Sequence, residues 1–489
     1  MRQARVGNRM RKRGSQLIQK GSSFRSYLLI SLVVCLLSRM FFFLAVQPWN
    51  ERVEKRVILQ ADASGYHHLG VTLKEHHRLA FSEESSPEAL RTPAYPFFIA
   101  SIYTLFGNSP WIVILFQIPI SLLSCWIFFL IVTKVSDVRS AFCASLLFAL
   151  DPFLILYTNL LYSETLFILF SLLGSFFLLR GIAKSSEKKF LSFIFSAFLF
   201  GIAGLTRPVV MYLPFLIVIL LICIYGRNFK KSILYAGIFT AVFFLTLTPW
   251  MLRNKRIYDT FSLSISKSLN FLVLQVVPIK MDLEDKPLQE CQRLLMEEAN
   301  ARMVQKGLDP RDLNLFERSP YWEELGWEYI KKYPGLFVKN YVIGIALNLS
   351  GLGTYPLAET LGLVHHRETF DPRDYSDLTE MRDNWIDRKN GVQVFIGIIV
   401  GLFLILCYVS LAIGFRRAWK NLDRRSVLLV LGMILYFMLI TGAAVHIRFK
   451  APVIPYYLVF SGIGLNWLSA LCVKCQKNDR KPAKSESSS

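Results

Sequence analysis

Apolar runs long enough to cross a membrane recur along most of the chain, separated by short polar connectors and two long polar segments. Each holds about twenty residues, the length a helix needs to cross a ~30 Å hydrocarbon core. The pattern predicts ten spans, near 27–46, 110–133, 140–157, 160–181, 190–206, 209–225, 231–250, 392–414, 426–444 and 452–472. The runs are continuous rather than short and alternating, which predicts helices and argues against a membrane barrel. The expected fold class is an all-α polytopic membrane protein with an added water-facing domain.

Composition agrees: 53% of the 489 residues are hydrophobic and mean hydropathy is +0.40. A net charge of +21 raises nucleic acid as a partner, but the placement of the cations argues against it. Arg2, Arg5, Arg9, Arg11, Lys12, Arg13, Lys20 and Arg25 precede the first span with no acid among them. Lys134 and Arg139, Lys184 and Lys188, Arg227 and Lys230, Arg416 to Arg425, and Lys474 to Lys484 follow spans two, four, six, eight and ten. These clusters share one side if both termini are cytoplasmic, as the positive-inside rule requires. The expectation is a multi-pass plasma (inner) membrane protein with both ends inside and the lipid bilayer as its setting. The eight cysteines form no disulfide framework.

The opposite face carries a first loop, 47–109, and a much longer second one, 251–391. The second holds 21 of the 35 acidic residues, nearly as many bases, and Trp322, Trp327 and Trp385, which predicts a folded extracytoplasmic mixed domain. The apolar stretch 336–356 within it reads as an interfacial or re-entrant helix, because a further span would put the basic loop 416–425 outside. The domain plan is therefore a basic tail 1–26, a seven-span core 27–250, the domain 251–391, a three-span bundle 392–473 and a tail 474–489.

Candidate chemistry collects on that outer face. Asp62, beside Tyr66, His67 and His68, suits a general base, a cation ligand or a helix N-cap, and the residues alone leave these open. The His67, His68, His76 and His77 cluster fits no zinc spacing and reads as a solvated helix face. Arg91 and Tyr95 belong at headgroup depth, just before an apolar helix. Glu164 heads span four, where a carboxylate at membrane depth is costly and therefore a functional candidate. Arg207, Arg253, Arg448 and Lys450 are cations on the face that should lack them. Together they could hold a phosphate headgroup.

In order, the motifs are Asp62 with Tyr66; Arg91-Thr-Pro-Ala-Tyr-Pro96 with Gly107; Ser163-Glu164; Gly204-Leu-Thr-Arg-Pro208; Pro249-Trp250 with Arg253-Asn254; and Arg448-Phe-Lys-Ala-Pro452 with Pro455. This set resembles the GT-C membrane glycosyltransferases that use polyprenyl-phosphate sugars, in particular family 39 and the dolichyl-phosphate-mannose protein mannosyltransferase-like enzymes, with the bacterial aminoarabinose transferases. The resemblance covers most of the chain. It implies that Asp62 deprotonates an acceptor hydroxyl on a lipid, glycan or protein. Tyr66, Arg91, Tyr95, Glu164, Arg207, Arg253, Arg448 and Lys450 would then bind the acceptor and the polyprenyl-phosphate sugar donor. Ala63 stands where the family's commonest pattern has a second acid, so no metal or other cofactor is expected.

The alternative is a transporter or flippase for a lipid-linked or anionic solute. Such a protein should carry charges deep in its spans, whereas span one holds only Arg39 and spans two and eight hold none.

Overall fold

The computed structural model describes residues 2–184, 187–226, 228–363, 391–443 and 447–479, with side chains from Ser23 to Cys472 except Ile447. The basic side chains before Ser23, Arg227, Trp385, His446 and the tail 480–489 therefore lie outside the described residues.

Among the described residues, nine helices are long and apolar enough to cross a membrane. Two bent pairs bring the number to at most eleven. These are Val138–Leu150 with Pro152–Thr158, bent by 55°, and Pro334–Ser350 with Thr354–Thr360, bent by 45°. The first is the third of the ten expected spans. The second is the segment 336–356 read as interfacial or re-entrant.

Both breaks have local causes. Pro152 lacks an N–H, so the first helix stops before it. Asp151 Oδ1 then accepts from the N–H groups of Phe153 and Leu154, both at 3.0 Å, and starts the next helix. Arg39, buried in span one, donates to the carbonyls of Phe148, at 3.1 Å, and Ala149. The one charge of span one thus satisfies a helix end that lipid could not. The second break falls at Gly351–Gly353, where Gly353 takes φ +58°.

Small residues let the helices meet closely. A Cβ on Gly414 would lie 1.8 Å from the Phe460 carbonyl, and one on Gly464 would lie 1.9 Å from the Ser410 carbonyl. The Gly391–Asn421 and Ile454–Asp479 helices therefore cross with backbones nearly touching, as membrane packing favours where water drives nothing together.

The segment expected as a mixed domain, 251–391, has helices as its only regular elements in its described part, 251–363. Cys291, Leu295, Ala299 and Met303 recur every fourth residue and are fully buried against Leu272, Trp322 and Leu325. That period belongs to a helix face, not a strand. Asn314 and Glu317 form a capping box at the start of Leu315–Lys332.

Candidate active site

Two short helices of the first loop, Asp62–His76 and Ala94–Phe106, build one side of the site. They pack through Gly70, where a Cβ would meet Ile99 at 2.3 Å, and through the edge-on rings of Tyr66 and Tyr95, 4.9 Å apart. Asp62 is the first residue of its helix, so the helix dipole favours its charge. It is not the N-cap. That position is Ala61, at φ +49°, a strained setting for a residue with a Cβ.

Asp62 Oδ1 accepts from Arg91 Nη2 at 2.9 Å, and Oδ2 accepts from Arg448. Gly65 makes room: a Cβ there would lie 2.7 Å from Arg91 Nη2. Arg91 also lies 5.3 Å over the Tyr66 ring. Glu164 Oε1 accepts from both Arg207 and Arg448. Glu164 opens the Glu164–Ile182 helix, and Arg207 sits in extended backbone before Pro208, just past the Lys189–Thr206 helix. Arg448, carried on the turn Ile447–Lys450, therefore bridges the two carboxylates and stacks 4.6 Å over the Tyr162 ring.

The carboxylates differ in access. The Asp62 side chain is 45% exposed and Glu164 only 1%, so Asp62 alone can meet a solute from water. Burial pushes the Asp62 carboxyl up, but Arg448, Arg91 and Arg207 outweigh it and hold it below the usual carboxylate value. Glu164 Oε2 is buried and has no hydrogen-bond partner among the described residues. Among the described residues, no group of three or more His, Cys, Asp or Glu could hold a metal ion. His67 pairs instead with the Tyr103 hydroxyl at 2.8 Å.

Residues 90–251 match the family model for dolichyl-phosphate-mannose-protein mannosyltransferase. Most of the chain superposes on the oligosaccharyltransferase AglB from Archaeoglobus fulgidus, solved with an inhibitory peptide and a dolichol-phosphate. The TM-score is 0.52 at 13% identity, over 95% of this chain and 52% of that one. The apo form of the Archaeoglobus fulgidus oligosaccharyltransferase gives 0.53 at 13% identity, over 94% and 52%. The fold is GT-C.

ArnT from Cupriavidus metallidurans, bound to undecaprenyl phosphate, aligns at TM-score 0.41 and 13% identity over 94% of this chain and 80% of that one. The chain spans about half the length of the oligosaccharyltransferases it matches. No curated protein matches it.

Within the GT-C frame, Asp62, Tyr66, Arg91, Glu164, Arg207 and Arg448 come together as one cluster. Three other expected residues turn their polar groups elsewhere. Tyr95 packs edge-on against Tyr66, but it is fully buried, and its hydroxyl donates to Gln117 Oε1 at 2.9 Å. Arg253 donates to the Glu88 carbonyl at 2.8 Å and stacks 4.5 Å over Trp250, one step behind the cluster. Lys450 is buried and faces away from both carboxylates. Its Nζ donates to the Leu349 carbonyl at 2.8 Å and lies 4.7 Å over Phe153. Residues 448 and 450 of a 3-10 turn, two steps of about 120°, cannot share a face.

Glu88 is a member that the sequence reading missed. It is buried, accepts from the backbone N–H groups of Leu90 and Arg91, and lies 3.6 Å from Arg91 Nη1. Its only signal in sequence is the spacing of an acid three residues before Arg91.

Proposed function

We propose that the chain is a membrane glycosyltransferase that moves a sugar from a polyprenyl-phosphate donor to an acceptor hydroxyl on the extracytoplasmic face. The observation that carries the reading is Arg448 bridging an exposed carboxylate, Asp62, and a buried one, Glu164, with Arg91 and Arg207 beside them. Arg91, Arg207 and Arg448 face the carboxylates of Asp62, Glu164 and Glu88, and Arg253 behind them adds a guanidinium that supports a place for a phosphodiester. The mannosyltransferase family match over 90–251 and the GT-C fold support the same reading.

In the reaction, Asp62 takes the acceptor's proton and the acceptor oxygen attacks the anomeric carbon. The bond from that carbon to the phosphate oxygen breaks, and polyprenyl phosphate leaves with the electron pair. Arg448 and Arg207 neutralise the leaving phosphate, so the leaving group needs no separate proton donor. As phosphate draws Arg448 toward itself, Asp62 loses a partner and becomes a better base. Glu164, buried behind them, holds Arg207 and Arg448 in place. In this reading the core 27–250 supplies the carboxylates, the bundle 392–473 supplies Arg448, and the domain 251–391 faces the extracytoplasmic side. Both ends lie in the cytoplasm.

The test is transfer in lipid nanodiscs from labelled polyprenyl-phosphate hexoses and pentoses. The expected result is release of polyprenyl phosphate together with labelled acceptor. No release from any such donor would overturn the reading. Broken helices at membrane depth favour a transporter. Here, however, Arg39 and Asp151 are spent on the helix ends at the break rather than open to a solute.

A further inference from the structure

The two broken segments converge on one side chain. Lys450 Nζ donates at 2.8 Å to the carbonyl of Leu349, in the last turn before the break at Gly351. The Tyr408 hydroxyl donates to the same carbonyl at 2.6 Å. On its other side, Lys450 lies over Phe153, in the first turn after the break at Asp151. Asp151 is fully buried, and its Oδ2 has no hydrogen-bond partner among the described residues. It stands two residues before Phe153, and its charge favours the buried Lys450 ammonium without an ion pair between them among the described residues. Cys407 and Tyr408 of the Gly391–Asn421 helix are the other titratable groups near the ammonium, with Tyr457 against Tyr408. Two residues back on the same short turn, Arg448 meets both carboxylates.

We propose that Lys450 is a positioning residue: its ammonium, held between the Leu349 carbonyl and the Phe153 and Tyr408 rings, ties the Ile447–Lys450 turn to both broken segments and so fixes where Arg448 meets Asp62 and Glu164. The part of this that concerns catalysis rests on the function proposed above. The geometry explains why a lysine is buried here at all. A buried ammonium is costly unless compensated, and this one has a carbonyl and two ring faces around it. It also explains the direction of Lys450, which points into the protein rather than toward a phosphate. Burial brings the amine down to about 8, so its charge is lost under mildly alkaline conditions.

The experiment compares Lys450→Met, Lys450→Arg and Lys450→Met/Asp151→Asn with the wild type in nanodiscs. Hydrogen exchange of the amides of residues 448–457 needs no substrate. Lys450→Met should speed it by about tenfold. The double variant removes both charges and serves as the folding-competent form if Lys450→Met alone is unstable. It should exchange as fast as Lys450→Met, because the tie is gone. With donor present, loss of the tie should lower kcat by about tenfold or more and leave KM within about twofold, because Arg448 is misplaced in the transition state rather than absent. Lys450→Arg keeps a charge at high pH. It should hold its rate above pH ~8, where the wild type declines. Unchanged exchange in both charge-removing variants would overturn the tie. Faster exchange with unchanged kcat would overturn its link to Arg448. A wild type that transfers no sugar would sink the proposed function, while the exchange measurement would still decide whether Lys450 ties the turn.

Discussion

Arg448 pairs with Asp62 across 386 residues of sequence, joining the first loop to the turn before the last span. The same guanidinium closes on Glu164, so one side chain compensates two carboxylates. Replacing it with glutamine leaves Asp62 to Arg91 and Glu164 to Arg207. Breaking a buried pair costs ~3–5 kcal/mol, and the surviving partners should keep Arg448→Gln near the lower end. The expected outcome is lost transfer with a clearly lowered midpoint in detergent unfolding. A wild-type midpoint would mean that the bridge carries no stability.

Asp62→Asn separates chemistry from architecture. The amide oxygen still accepts from an arginine, and the side chain is 45% exposed, so unfolding should change little. Loss of a general base removes ~10²–10⁴-fold in rate. Purified Asp62→Asn protein that turned over donor at the wild-type rate would remove Asp62 from the base role.

The arginines around Asp62 fix the sign of the acid limb. Burial raises its carboxyl, the arginines lower it further, and the net position is below the ordinary value. The base therefore stays ionised to lower pH than a free aspartate. The stability from this pairing is present above the unfolded value, near ~3.9, and is lost as pH falls through the folded one. Arg91→Gln removes one of the opposing charges. The acid limb of kcat/KM should move upward relative to wild type. A limb that stays in place would show that Asp62 does not feel Arg91.

Lipid imposes the longest features of the fold, and these were legible in the sequence. Uninterrupted apolar runs such as 110–133 admit only a helix. The cluster was partly legible for the same reason, since Glu164, Arg207 and Arg448 stand out where charge is expensive. Sequence does not show which way a side chain turns. Lys450 and Arg448 are two residues apart, yet one faces a helix end and the other faces the carboxylates. Tyr95 looked like an interface anchor because it follows Arg91-Thr-Pro. It is buried because Gln117, on the next span, presents an acceptor. Glu88 was invisible because its partners are mainly backbone N–H groups, which every residue carries.

The sidedness itself is open to a direct measurement. Cysteine at Ser82, in the exposed part of the first loop, should react with an impermeant maleimide on intact cells in a background lacking the exposed Cys223 and Cys472. Cysteine at Asn421, the exposed last residue of the Gly391–Asn421 helix, should react only after permeabilisation. Ser163 is unsuitable as a reporter because it is fully buried. The reverse pattern would invert the assigned faces.

Glu88 offers a test of how Arg91 is held. The segment 87–91 is clamped from one side: Tyr258 donates to Pro87, Arg253 to Glu88, Ile265 to Ala89 and Ser264 to Leu90, each to a backbone carbonyl. From within, the Glu88 carboxylate accepts the N–H groups of Leu90 and Arg91 and lies beside the Arg91 guanidinium. Glu88→Ala leaves those two N–H groups without their acceptor, at ~1–3 kcal/mol for a buried group. Arg91 then loses its fixed origin, and its reach to Asp62 loosens. Transfer should fall by about tenfold or more, and proteolysis of the loop should quicken, while Glu88→Gln, which keeps an acceptor oxygen, should recover most of the rate. If Glu88→Gln were as damaged as Glu88→Ala, the carboxylate charge rather than the backbone cap would be what places Arg91.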